Sequence, residues 1–149
     1  TYAGVTCSEN FKSYTFFYEW CQEQVGFGNI DSKGIFWHLD KDILVKGNKV
    51  YSEDNCVFIP QRINNLLLKV DKARGKDLLG VFYREDKGKF MCSCSPKGYL
   101  GLFNTSQEAF VAYKNYKEAL IKSVANEYKD RLDQRVYQAL INYTVEITD

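Results

Sequence analysis

The chain is short of several residues that most sharply narrow a protein's chemistry, holding two prolines, two tryptophans, one methionine and one histidine among 149 residues. A single imidazole leaves little from which to build a zinc site. Cys92-x-Cys94 does not compensate, because it lacks the two-to-four-residue separation of zinc ligands and a strand would point both thiols to one face. No zinc is expected. No apolar run approaches the length of a membrane span. Internal repeats, a glycine-rich nucleotide loop and a serine-nucleophile elbow are also missing.

Charge of either sign is scarce in the balance, since the formal net charge is only +1. The five cysteines, Cys7, Cys21, Cys56, Cys92 and Cys94, are odd in number, follow no disulfide-framework spacing and are preceded by no apolar leader. Buried thiols in a reducing cytosol are the expectation. What is present describes a folded, soluble protein, with 45% hydrophobic and 26% charged residues in a length that suits one ordinary domain or two small ones.

The small net charge is unevenly placed. Lys69, Lys72, Arg74, Lys76, Arg84, Lys87, Lys89 and Lys97 outnumber Asp71, Asp77, Glu85 and Asp86 in the middle of the chain, whereas residues 1–31 set Lys12 against Glu9, Glu19, Glu23 and Asp31. A phosphate backbone would be met by the basic middle.

Along the chain, Phe11, Tyr14, Phe17, Tyr18 and Cys21 recur at helical spacing and predict a helix with an aromatic core stripe, ending near Gly26 and Gly28. Ile35 to Leu39 predicts a short strand that delivers Asp40, Lys41 and Asp42 to its end. After a polar loop turning at Gly47 and Asn48, Cys56 to Phe58 predicts a second strand, and Pro60 opens a helix carrying Ile63, Leu66 and Leu67. Residues 69–78 read as a charged linker. Three strands follow, at Leu79–Tyr83, Lys89–Cys94 and Tyr99–Phe103, then a long helix in which Thr105 and Glu108 form a capping box. A last helix from Asp133 to Ile141 and an extended Tyr143 to Ile147 complete the chain.

The strand–loop–strand–helix stretch resembles the ββα-metal core of HNH endonucleases of the phage and intron-borne homing type. That family's motif is an Asp-His pair ending the first strand, an Asn after the loop, and a His or Asn nine residues later on the helix. Asp40-Lys41, Asn55 and Asn64 match its spacing, with Lys41 where the family has its base. The resemblance implies that Asp40 and Asn64 hold a divalent metal, magnesium or manganese, and that Asn55 braces the loop. Oxygen ligands suit such hard cations. Water attack on a phosphodiester also needs a proton acceptor, so His38, two residues before Asp40 on the same strand face, is a candidate beside Lys41. The plainer readings are a satisfied strand-edge histidine and loop-capping side chains. Cys7-Ser8-Glu9-Asn10 keeps the Cys of the Cys-x-x-Trp element that resembling proteins carry here, and loses its Trp. The chain begins abruptly at Thr1, and an N-terminal piece is expected to precede it.

The later strands and helix resemble the plant ethylene-response-factor (APETALA-two) type of DNA-binding domain, through Gly80-Val81, Gly88-Lys89-Phe90 and Tyr99-Leu100-Gly101-Leu102-Phe103-Asn104-Thr105 before Glu108-Ala109. This resemblance implies DNA contacts by Arg84, Lys87, Lys89, Phe90 and Lys97. Phe82 stands where that family usually has an Arg.

The expected fold class is therefore α+β. Residues 1–68 would form an HNH-like module with an N-terminal helix, 69–78 a basic linker, 79–129 a three-stranded antiparallel sheet packed on a long helix, and 130–149 a helical extension and tail. The expected function is that of a phage or mobile-element HNH-type endonuclease-like protein, binding double-stranded DNA in the host cytoplasm and hydrolysing it with a divalent metal if Lys41 does not prevent catalysis. The alternative is a catalytically inactive HNH-derived binding protein that regulates or inhibits a host enzyme through a protein partner.

Overall fold

The computed structural model describes residues 3–68, 78–147 and 149. The basic linker expected at 69–78 lies, apart from residue 78, outside the described residues. The protein is a mixed α+β chain with small sheets. It divides into two compact units, one made of residues 1–67 and 124–142, the other of 68–123 and 143–149. Residues 130–149, read from the sequence as one separate extension, are thus shared between the two units.

In the first unit, β1 (Thr6–Cys7) pairs in parallel with β3 (Val50–Tyr51). This pairing gave no sequence signal, because two residues are too few for alternation to register. A 3₁₀ turn (Asn10–Lys12) leads into α1 (Tyr14–Gln22), which Ser13 caps by accepting the Phe16 N–H at 3.3 Å. The predicted aromatic stripe holds in part: Cys21 is buried and Phe11 and Phe17 are half-buried, whereas Tyr14 and Tyr18 are exposed. Phe11 packs edge-on against Phe17 and Trp20, with ring centroids 5.0 and 4.8 Å apart. Tyr14 and Tyr18, by contrast, stack on each other at the surface, 79% and 53% exposed.

β2 (His38–Asp40) pairs antiparallel with β4 (Val57–Ile59), placing His38 opposite Ile59, Leu39 opposite Phe58 and Asp40 opposite Val57. The first of these strands starts later than the sequence suggested, since Phe36 instead forms an isolated bridge with Ile30. α2 (Gln61–Leu67) follows at once from Pro60, buries Ile63 and lies against β2. α4 (Gln134–Ile141), capped by Asp133, adds buried Val136 and Leu140 to this core.

The second unit is an antiparallel sheet of β5 (Val81–Arg84), β6 (Lys89–Cys94) and β7 (Gly98–Phe103) in the order β5-β6-β7, followed by residues 106–123 of α3 (Ser106–Tyr128). Val81, Cys92 and Cys94 are buried together with Ala109, Phe110, Tyr113 and Ile121 of the helix. Of the expected capping box the Thr105 half is present, the Glu108 N–H donating to Thr105 Oγ1 at 3.2 Å. Residues 143–147 form no strand; they are strapped to α3 by Lys114 Nζ donating to the Val145 carbonyl at 2.9 Å and by the Val145 N–H donating to Glu118 at 2.8 Å.

Gly80 shows why glycine stands before β5. Its φ is +73°, and a Cβ there would fall 2.1 Å from Tyr113 Cδ2. Replacing it would impose both left-handed backbone strain and an overlap with a buried ring. Gly80→Ala is expected to destabilise the second unit by roughly 2–4 kcal/mol, read as a lower urea midpoint at unchanged m-value.

Candidate functional site

At the end of β2 the chain turns on Asp40, whose Oδ2 accepts the N–H groups of Asp42 at 3.0 Å and Ile43 at 2.7 Å. The carboxylate is half-withdrawn from water. Burial first, and then the neighbouring Asp42 carboxylate, push its pKa up to about 6. Lys41 follows directly, its side chain only 15% exposed. Its Nζ lies 3.8 Å from Asp42 and 5.5 Å from the centre of the Tyr51 ring. Cys56, behind this group, is raised to about 11 by burial.

Asn48 is the side chain that braces the loop. Its Nδ2 donates to the carbonyls of Lys41 at 2.7 Å and Val50 at 2.8 Å, and its Oδ1 accepts the Val50 N–H at 3.1 Å. The loop's start is thereby tied to β3. The sequence placed Asn48 at a turn without giving it this task, although Asn beside Gly is a familiar sign of a side chain bonding its own turn.

The other expected residues are placed as follows. Asn55 enters through its backbone, whose N–H donates to the Ser52 carbonyl at 3.3 Å, and its side chain lines a groove of about 440 Å³ shared with Asp54, Arg135 and Asn142. Arg135 is engaged there by Asp133, through Nε at 3.1 Å and Nη2 at 3.0 Å. Asn64 is half-exposed on α2, its N–H bound to the Pro60 carbonyl at 3.2 Å. His38 is exposed at the opposite end of β2 from Asp40. Asp40, Lys41, Asp42 and Tyr51 thus form one cluster, with Asp42 and Tyr51 added to what the motif named. Among the described residues no group of three or more His, Cys, Asp or Glu is arranged to hold a metal.

In the second unit, alternation assigns the sheet's faces. Val81, Phe90 and Cys92 share the face that carries the buried core, and Phe90 packs on Tyr83 with ring centroids 5.0 Å apart. Arg84, Lys89, Met91 and Ser93 share the other. Phe90 is therefore on the opposite face from Arg84 and Lys89, and the exposed rings beside those cations are Phe82 and Tyr99. Arg84 is bound in two places by Asp86, at 2.9 and 2.7 Å, and its Nη1 touches Met91 Sδ at 3.8 Å. The carboxylate of Asp86 holds the guanidinium above its ordinary pKa. Lys87 lies in the turn at this end of the sheet. Lys97 lies in the turn at the other end, its N–H donating to the Tyr116 hydroxyl at 3.3 Å.

No protein-family model, curated protein or solved structure matches the chain. No described helix is long and apolar enough to cross a membrane.

The raised Asp40 pKa has a defined sign in stability. The folded state holds the proton more tightly than the unfolded state, so the contribution is complete below the ordinary value of 3.8 and is lost as pH rises through about 6. In Asp40→Asn the amide oxygen can still accept the two N–H bonds, but the group no longer titrates. Between about pH 4 and about pH 7.5 the natural chain should lose on the order of 1–3 kcal/mol more stability than the variant, measured by urea unfolding at both values.

Proposed function

We propose that the chain is a DNA-binding protein of HNH-endonuclease type, with the phosphodiester site at the end of β2 and backbone contacts from the basic residues of the second unit. The observation that carries this reading is the β2–β4 hairpin running directly into α2, with the Asp40 carboxylate at the hairpin's end, half-withdrawn from water.

Asp40 fits a hard cation. Burial and the Asp42 charge make its ionised form costly, and a magnesium or manganese ion would remove that cost. The Asn64 carbonyl, on the helix against β2, would supply the second protein oxygen. Bound there, the cation would polarise a phosphate oxygen of duplex DNA. His38, at the other end of β2 from Asp40, is the group this reading takes as the proton acceptor for attacking water. Lys41 has no such capacity while it is an ammonium, because it then has donors and no acceptor.

Incubation with supercoiled plasmid and magnesium or manganese tests the site. Nicking by the natural chain, lowered roughly a hundredfold in Asp40→Ala, is the expected result, and equal nicking by both proteins rejects it. DNA retention is expected to weaken with salt, and Lys89→Ala should reduce the salt slope by about 1.

The mostly covered Lys41 side chain, ion-paired to Asp42 in the position of a base, favours a second reading. In this reading the chain is a catalytically silent DNA-binding protein that regulates or inhibits a host enzyme. Lys41→His is then expected to convert a non-nicking chain into a nicking one, with DNA retention unchanged.

A further inference from the structure

The face of the second unit's sheet turned away from its core carries two rings in water, Phe82 on β5 and Tyr99 on β7, 46% and 58% exposed. Their positions follow from the register. Phe82 stands opposite Met91 and Tyr99 opposite Ser93, so the two rings flank the central strand on a diagonal. β7 carries an extra residue here, a register shift at Cys92/Ser93 that sets Tyr99 rather than Leu100 opposite Ser93, so Tyr99 shares the face of Ser93. Between them on this face stand Ser93 and Met91, whose Sδ is touched by Arg84 Nη1 at 3.8 Å.

Charge surrounds this apolar strip. Arg84 and Lys89 are register partners at one end of the same face, and Lys87 lies in the adjoining turn. Within residues 81–103 four cations stand against two carboxylates, Glu85 and Asp86. An acidic ligand that also has flat apolar surfaces complements such a face.

Reading duplex DNA in the major groove takes long polar side chains that reach base edges. Here the face offers Lys89 and an Arg84 already gripped by Asp86; the remaining side chains are Phe82, Met91, Ser93, Tyr99 and Leu102. Aromatic rings recognise the π-faces of bases, which are covered in a duplex and open in a single strand.

We propose that this face binds single-stranded nucleic acid, with bases stacked on Phe82 and Tyr99 and backbone phosphates held by Lys87 and Lys89. The proposal rests on the DNA-binding reading above only in taking nucleic acid as the ligand.

Fluorescence anisotropy of the full chain at low salt tests it, with a labelled oligothymidylate of about 15 nucleotides, the same strand in duplex, and an oligouridylate that identifies the sugar preferred. The single strand is expected to bind at least about tenfold more tightly than the duplex. Phe82→Ala and Tyr99→Ala should each weaken single-strand binding by roughly fivefold to a hundredfold, and duplex binding by less than about twofold. Phe82→Leu and Tyr99→Leu keep apolar volume and remove the ring, so they should lose affinity likewise with no change in melting temperature. Tyr99→Phe should retain it. Unchanged single-strand affinity in the alanine and leucine variants, or a preference for duplex, overturns the stacking and leaves the DNA-binding reading intact. Failure of the natural chain to bind any of the three overturns both.

Discussion

The first unit depends on burying one very short strand on both sides. β4 has three residues, and Cys56 through Pro60 are all buried. So few backbone bonds cannot hold a strand in water; burial from both faces supplies what is missing. Phe58 meets Phe27 and Trp20, with ring centroids 5.4 and 6.4 Å apart, so the segment after α1 and α1 itself are held by rings lying on this strand. Trp37 is buried just before the paired strand, and Gly26 leaves it room, since a Cβ there would come within 2.7 Å of the indole. Asp40 sits opposite Val57 at the half-buried end of this pairing. The burial that stabilises the hairpin is thus also what makes the carboxylate reluctant to ionise.

The second unit solves a different problem. A three-stranded sheet can bury one face on a helix and must leave the other uncovered. Its covered face is small and sulfur-rich, with Cys92 raised to about 11 by burial and Lys117 on α3 lowered by the same cause. Burial likewise raises Tyr113 and Cys94. These groups are consistent with an inert interior. The uncovered face keeps rings and cations side by side, an arrangement that core packing does not require.

Much of the element order was legible in the sequence because punctuation and period agree there. Pro60 before Ile63, and Thr105 three residues ahead of Glu108, mark helix starts by chemistry local to the chain. Orientation was harder. A helical period brings Tyr14 and Tyr18 together whether the stripe is buried or wet, and their exposure is decided by what α1 packs against. Phe90 and Phe82 are both aromatic residues in strands, and only the register, with Phe90 beside Tyr83 and Arg84 beside Met91, separates their faces. In the candidate site, Asp40 and Lys41 were legible from spacing. Asp42 was placed beside them without a part, and the parts of Asn48 and Tyr51 were not legible because they depend on how the loop folds back to β3.

The two units also share the chain in an interleaved manner. Residues 124–142 return to the first unit, and 143–149 return to the second, with Val145 fastened between Lys114 and Glu118. During synthesis on the ribosome, therefore, neither core can close when its first segment emerges. Val136 and Leu140 must arrive before one is filled and Val145 before the other. The two units therefore cannot be completed in simple N-to-C order, because the last segment of the first unit is made after most of the second.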